Sequence, residues 1–297
     1  MEVDGICDMF KRSETLHNKY INYIGDGDSR TYKGIIESCD SNVKKKECIN
    51  HVQKRMGASL RVCKKNTKGL GGRGKLTRKL IDELSAYYGL AIRRNADSVD
   101  DMYKAVWATL YHKTSTDKSP KHHYCPEGAD SWCTWQKAKA NNNLDEYVHK
   151  TPLQQDVVVA ITPIYEDLSD KELLKKCLGG FTQNNNESFN ALVWKFAPKT
   201  LSSEAVIVHL AAYLATILFN DGHTGLLRIL EHLNVKIGPT AAAYRDKQYA
   251  LRISAADRKA QAATYEGRLR RRCGLNEEED NAADLHDLFY DPGVDAL

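Results

Sequence analysis

Strand-like segments are confined to the first 50 residues of this chain, and this restricts the folds that it can adopt. Residues 20–24 (YINYI) are rich in β-branched and aromatic side chains and stop at a glycine–aspartate turn, and residues 46–49 predict a second brief strand. After them, apolar residues recur at three- and four-residue intervals, which is typical of helices. Helices are predicted at about 76–92, 98–113, 152–167, 169–178, 185–196 and 202–234.

A self-contained α/β domain is not normally built from two early strands and a long series of helices. Two fold classes therefore remain. The chain is either a predominantly helical module or an α/β core whose first strands lie outside it. With 297 residues, 42% of them hydrophobic, it is long enough to bury one sizeable core together with an inserted or appended subdomain.

Composition also limits the compartment. No run of about 18 apolar residues is present, so we expect no membrane-spanning helix. The first 20 residues lack the apolar stretch of a signal peptide. Eight cysteines are scattered along the chain, and without a secretion signal they indicate reduced thiols or metal ligands in an intracellular protein.

Positive charge is concentrated in residues 44–94, although the formal net charge of the chain is only +4. Such a local excess suits contacts with DNA phosphates, and a solvated basic face is the alternative. The candidate DNA-binding residues are Lys64, Lys65, Arg73, Lys75, Arg78 and Lys79. The spacing Gly69-x4-Gly74-Lys75 approaches that of a nucleotide-binding loop. We reject that reading, because Leu76 replaces the required Ser or Thr and no strand precedes the first glycine.

Three short motifs can carry chemistry. The first predicted strand runs into Gly25-Asp26-Gly27-Asp28, which can present a carboxylate to a hard cation such as Mg²⁺ or can form an ordinary turn. Cys48 and His51 are three residues apart on a predicted helical turn, where a buried cysteine with a capping histidine is the alternative. Glu187 follows an Asn-rich segment, where the first helical turn favours an ionised carboxylate through capping alone.

Taken in order, these motifs resemble the catalytic core of Mutator-like transposases from animal transposable elements. Six segments carry the resemblance, and they lie between about residues 1 and 235. They are YIGDGDS, HVQKRMG, YYGLAIRRN, CPEGADSWCTWQ, YEDLSD and TQNNNESFN.

The resemblance implies a ribonuclease-H-like fold in which two Asp and one Glu (a DDE site) hold two divalent metals, Mg²⁺ or Mn²⁺. The second Asp of that set corresponds to Asp26, with Asp28 as the less favoured substitute, and the final Glu corresponds to Glu187. Cys48 and His51 correspond to the signature that follows the second Asp. No aspartate before residue 20 follows a predicted strand. We therefore expect a truncated copy that lacks the first Asp and its strands. We expect this chain alone to be inactive, because a two-metal site cannot be held properly without one of its three carboxylates.

The resemblance also implies an organisation in four parts. Residues 1–58 form a partial ribonuclease-H-like core, 59–180 a basic helical insertion, 181–235 the core helices with Glu187, and 236–297 a charged helix with a disordered acidic tail. The implied partners are transposon ends and target DNA, with a homo-oligomer, no membrane and a nuclear location. Two alternatives are a domesticated, non-catalytic DNA-binding protein and a helical protein-interaction module.

A second metal site is suggested by the Cys/His-rich loop 121–135. His122, His123, Cys125 and Cys133 are candidate ligands for tetrahedral Zn²⁺, with His112 or Cys177 as a further ligand from outside the loop. The spacing from Cys125 to Cys133 is longer than that of a usual zinc knuckle. The alternative is that these residues pack against Trp132 and Trp135 without a metal.

Overall fold

The structure is a computed structural model, and it describes residues 2–25, 27, 29–38, 42–72 and 74–263. The chain divides into two compact units, residues 1–183 and 184–297. Within the described residues there are eleven α-helices, one 3-10 helix and two strands. The expectation of a predominantly helical chain is therefore confirmed.

The first unit opens with a small α/β layer. Helix α1 (Glu2–Thr15) precedes strand β1 (Asn22–Gly25), helix α2 (Ser29–Ser38) and strand β2 (Lys44–Glu47). The strands pair in parallel, with Asn22 opposite Lys44 and Gly25 opposite Glu47. A parallel pair needs a crossover, and α2 supplies it. Both strands therefore end at the same edge, where Gly25 and Glu47 are neighbours.

Three long helices form the centre of the first unit. They are α3 (Ile49–Asn66), α4 (Arg78–Arg94) and α5 (Val99–Thr114). Thr77 and Ser98 cap the last two helices by accepting hydrogen bonds from the backbone N–H groups of Leu80 and Asp101. The helical spacing predicted for 76–92 and 98–113 is confirmed. Their apolar faces meet in one core that contains Ile49, Met56, Leu84, Tyr88, Met102 and Leu110, among others.

A less regular segment separates these helices from the rest of the first unit. It contains α6 (Thr134–Ala140) and a 3-10 turn (Leu144–Glu146), and α7 (Gln155–Leu168) and α8 (Lys171–Cys177) follow it. Helix α7 returns to the core through Val157, Ile161 and Tyr165. The Tyr88 hydroxyl donates to the Leu168 carbonyl at 2.9 Å. This buried bond ties α4 to the end of α7.

The second unit is entirely helical over its described part. It consists of α9 (Asn184–Phe196), α10 (Ala205–His232) and α11 (Pro239–Ala263). Leu192 and Val193 of α9 pack against Ala211, Ala215 and Leu218 of α10. Gly222 has non-helical dihedral angles (φ 62°) and kinks α10. The acidic tail, predicted after Leu275, lies outside the described residues, which end at residue 263.

Helix α10 bears on the expectation that the chain has no membrane-spanning helix. Among the described residues it is long and apolar enough to cross a membrane by length and composition, and 22% of its most apolar window is buried. The criterion of an uninterrupted run of about 18 apolar residues did not select this helix, because polar residues interrupt its apolar stretch. Its mean hydropathy is nevertheless high. The same length and composition occur in the core helices of soluble proteins.

Candidate metal centre and nucleic-acid interface

The acidic loop begins where β1 ends. Asp26 and Asp28 lie outside the described residues, and Gly27 between them has φ +105°. A Cβ atom at Gly27 would lie 2.5 Å from Nη2 of Arg55. The guanidinium of Arg55 is therefore packed against the backbone of the loop. Only glycine adopts this φ without strain while leaving room for the guanidinium.

Glu47 forms an ion pair with the same guanidinium of Arg55. Its carboxylate accepts a hydrogen bond from Arg55 Nη2 at 2.7 Å, and the residue is 4% exposed. Because Glu47 is the last residue of β2 and pairs with Gly25, the ion pair lies at the edge where both strands end. The sequence analysis did not select Glu47 or Arg55. The available signal was a lone acid at the end of a parallel strand, with an arginine two helical turns later.

Cys48 and His51 lie immediately beyond this edge. Cys48 is buried at the start of α3, and its N–H donates to the Gly25 carbonyl at 3.0 Å. His51 follows in the first turn of α3, on the same side as Arg55 one turn further on. The cysteine thus couples the end of β1 to the start of α3.

The segment before α9 returns to the same edge of the first unit. The Gln183 side-chain amide donates to the Ile24 carbonyl at 2.9 Å, and its backbone N–H donates to Cys48 Sγ at 3.4 Å. Ile49 N–H donates to the Phe181 carbonyl at 3.0 Å. These bonds join β1 to a segment about 160 residues downstream. Glu187 follows four residues later in sequence, in the first turn of α9 in the second unit.

The candidate DNA-binding residues flank the loop between α3 and α4. Lys64 and Lys65 occupy the last turn of α3, Arg78 and Lys79 begin α4, and Arg73 lies outside the described residues. Lys65, Arg78 and Lys79 are exposed. Lys75, by contrast, makes contacts within the protein.

Lys75 Nζ lies 2.7 Å from a carboxylate oxygen of Asp156 and donates to the Gly69 carbonyl at 2.7 Å. The Lys75 side chain thereby fastens the glycine-rich loop to the start of α7. The pKa of Asp156 is lowered, first by the hydrogen bond from Lys75. A helix, not a strand, precedes the loop, and α4 begins three residues after Lys75. A nucleotide-binding loop needs a strand before its first glycine, so this arrangement agrees with the rejection of that motif.

Three side chains of the irregular segment converge with one from the last turn of α5, and the four differ in one member from the predicted zinc set. His112, His122, Cys125 and Cys133 bring their ligand atoms within 4.8 Å of one another and can hold a metal ion. His112 takes the place expected for His123. His123 is exposed, and its ring lies against Tyr111 and Tyr124. Cys177 is buried in the main core, where burial raises its pKa to about 12.

The pKa values of the two thiols in this cluster are shifted in opposite directions. The pKa of Cys133 is lowered, first because the Cys125 thiol donates a hydrogen bond to it and further because His112 contacts it. The pKa of Cys125 is raised, because this thiol is the donor and is buried. Burial is also the main reason that the pKa of His122 is lowered. The cluster therefore favours one thiolate and a neutral His122 imidazole, both of which are metal-ligating forms.

Comparison with known proteins relates part of the chain to a family of transposases. Residues 1–133 match the family model of Mutator-like transposases. The matched range includes the acidic loop, Cys48, His51 and all four residues of the His/Cys cluster, and it ends before Glu187. No curated protein and no solved structure matches the chain. The resemblance to Mutator-like transposases is thus confirmed for the first 133 residues.

Proposed function

We propose that this chain is part of a DNA transposase whose reaction uses Asp26 and Glu187 as metal ligands. The family match over residues 1–133 carries the proposal. The parallel strand pair with its acidic loop and crossover helix supports a ribonuclease-H-like core of the kind found in animal elements. In that core, phosphodiester hydrolysis and strand transfer require carboxylates gathered at one edge of the sheet.

The residue types of the loop suit a hard cation. Mg²⁺ and Mn²⁺ take oxygen ligands, and the sequence places two aspartates, Asp26 and Asp28, directly after β1. Glu47 lies at the same edge but is paired with Arg55, so the loop aspartates are the carboxylates assigned to the metal. Such metals activate the attacking water or 3′-hydroxyl and stabilise the leaving oxygen.

The residues of the chain have separate tasks in this proposal. Arg55, held by Glu47, packs against Gly27 and fixes the path of the acidic loop. Gln183 ties the downstream segment to β1, and Glu187 follows it four residues later in the sequence. Glu187 stands in the first turn of α9.

DNA is the proposed partner, both as transposon ends and as target. Lys64, Lys65, Arg78 and Lys79, with Arg73, would contact backbone phosphates. Lys75 would support their loop through Asp156. We place the reaction in the nucleus and in a homo-oligomer, because two transposon ends must be handled together.

Metal binding tests the acids directly. Mn²⁺ bound to the full chain in the presence of duplex DNA is counted by electron paramagnetic resonance. Asp26→Asn and Glu187→Gln should each weaken Mn²⁺ binding at least about tenfold, since each removes a charged oxygen ligand. Asp145→Asn, on the exposed 3-10 turn, is the matched control and should bind Mn²⁺ like the parent. Unchanged Mn²⁺ binding in either test variant would refute the assigned site.

DNA affinity tests the interface and separates the alternatives. The double variant Lys65→Ala/Lys79→Ala should lower duplex affinity and reduce the slope of log affinity against log salt by about 2, one per lost phosphate contact. Fluorescence anisotropy across a salt series measures both quantities. DNA binding without Mn²⁺ binding would indicate a non-catalytic DNA-binding protein. Absence of both would leave a protein-interaction module.

A further inference from the structure

The segment between α5 and α7 has too little apolar material to hold itself in place. Residues 115–150 contain one isolated bridge, the seven-residue α6 and a single 3-10 turn. The buried apolar cluster beneath them consists of Ala108, Cys125 and Cys133, with Tyr124 and Trp135 packed at its side. Small units with so little core usually depend on a metal or a disulfide.

Distances within the His/Cys cluster match those of an occupied zinc site. Cys133 Sγ lies 3.5 Å from His112 Nδ1 and 3.4 Å from His122 Nδ1, and the corresponding Cys125 distances are 3.9 and 3.7 Å. Zn–S bonds of about 2.3 Å and Zn–N bonds of about 2.0 Å, set at the tetrahedral angle, place sulfur and nitrogen about 3.5 Å apart. All four sulfur–nitrogen separations fall close to that value.

We infer that His112, His122, Cys125 and Cys133 bind one structural Zn²⁺ ion, which fixes segment 115–150 to helix α5. Two thiolates and two imidazoles in a tetrahedron select zinc among the common divalent cations. All four ligands come from the protein, so no position is left for a reacting water, as is usual in structural sites. The inference extends beyond the transposase proposal and does not depend on it.

The backbone around the ligands is arranged to present them. His122 and Cys125 share a turn, in which Cys125 N–H donates to the His122 carbonyl at 3.0 Å. Cys133 sits at the start of α6, where its N–H is bonded to Ser131 Oγ at 3.0 Å. The buried Gln136 amide donates to the His122 carbonyl at 3.0 Å and joins the two parts. His112 comes from the last turn of α5, so the ion would link two helices.

Ser115 and His149 contact the His122 ring on the side away from the thiols and orient it. Its Nε2 lies 2.9 Å from Ser115 Oγ and 3.0 Å from Nε2 of His149, and Nδ1 of His149 lies 2.6 Å from Asp117. Asp117 holds the proton of His149 on Nδ1, which leaves His149 Nε2 to accept from His122. The lone pair of His122 is then on Nδ1, which faces the thiols. A chain of carboxylate, imidazole and ligand imidazole is a common support of zinc sites. His149 and Asp117 are therefore positioning residues.

Metal content tests the site. The full chain, purified under reducing conditions without chelator, should contain one zinc per chain by atomic emission. Cys133→Ser should lose it, and His123→Ala, which removes the neighbouring exposed imidazole, should keep it. A parent protein with under about 0.1 zinc per chain after refolding with added zinc, or zinc retained in Cys133→Ser, would overturn the inference. A Cys125–Cys133 disulfide found by mass spectrometry in reduced buffer would also overturn it.

Cobalt provides a readout that does not depend on a folded variant. The parent protein is stripped with chelator and titrated with Co²⁺, which absorbs strongly in the visible range when four-coordinate with thiolates. One equivalent should produce these bands, and one equivalent of Zn²⁺ should abolish them. Absence of the bands in refolded parent protein would contradict the site even if Cys133→Ser failed to fold.

The positioning role of His149 is tested by the affinity of the protein for zinc. His149→Ala should weaken zinc binding about 10- to 100-fold in competition with a chelating dye, because His122 loses its orienting partner. His149→Gln offers an amide oxygen that accepts from His122 Nε2 and should restore part of the loss. His123→Ala should bind like the parent. Equal affinities for all four proteins would contradict the positioning role of His149.

Discussion

Arg55 lies between a buried carboxylate and the backbone of Gly27. Its side chain is 35% exposed, whereas that of Glu47 is 5% exposed. An acid this deeply buried is tolerated only with a partner, because the lost hydration must be replaced. The same guanidinium limits where the acidic loop can run. One ion pair therefore links the stability of the strand edge to the shape of the candidate metal site.

Replacing Arg55 by Met should destabilise the protein by about 2 kcal/mol or more, because Glu47 is left charged and buried without its partner. The double variant Arg55→Met/Glu47→Gln should recover part of that loss. Urea unfolding of the parent, of Arg55→Met, of Glu47→Gln and of the double variant measures the four free energies of unfolding that this comparison needs. Additive effects of the two substitutions would show that the pair does not interact energetically.

The sequence predicted some residues of the candidate sites and missed others for physical reasons. Cys125, Cys133 and His122 were selected from local spacing. His112 was considered only as an outside ligand, because its position is set by the packing of α5 and not by its neighbours in sequence. Glu47 and Arg55 were missed for the same reason. Ion pairs formed across a strand edge leave no periodic pattern in the chain.

At the scale of elements, helices were easier to predict than strands. The apolar spacing and caps of α4 and α5 are local properties, so both helices were predicted close to their observed positions. Strand β2 was predicted at 46–49 and lies at Lys44–Glu47. Three consecutive lysines are unfavourable in strands, and pairing with β1 overrides that preference. The number of strands in the sheet cannot be read from spacing at all.

The junction of α4 and α7 permits a test at this scale. Tyr88→Phe removes the buried hydroxyl that donates to the Leu168 carbonyl, which should cost about 1 kcal/mol. For a unit of this size, that loss corresponds to a fall in Tm of about 2–4 °C. Tyr87→Phe is the matched control, since its hydroxyl bonds to Glu83 within the same helix and is partly exposed. Equal falls in Tm for the two variants would show that the hydrogen bond between Tyr88 and Leu168 does not specifically stabilise the junction of α4 and α7.

At the scale of the whole molecule, the chain contains two units with separate cores. The first unit includes the main core, the α/β layer and the His/Cys cluster. The second unit has its own apolar contacts between α9 and α10. The four-part division suggested by the sequence remains a prediction. Compact units with their own cores can usually fold alone.

The fragment 1–183 should therefore fold by itself. It should show one cooperative thermal transition by circular dichroism, with helical content retained. The fragment 1–133 is the matched control. It covers the family match but lacks α7 and α8, which supply Val157, Ile161, Tyr165 and Leu174 to the core, so it should show no such transition. Cooperative unfolding of both fragments would mean that the core does not need α7 and α8.

The closed set of four ligands has a practical consequence for studies of catalysis. Chelators are the usual means of showing that phosphoryl transfer needs Mg²⁺, since the activity returns when the ion is added back. A chelator that also strips thiolate-bound zinc would unfold the segment around α6, and added Mg²⁺ would not rebuild it. Loss of activity in EDTA would then reflect unfolding of this segment. Comparison of samples given Zn²⁺ alone, Mg²⁺ alone and both ions would show which ion the chemistry uses.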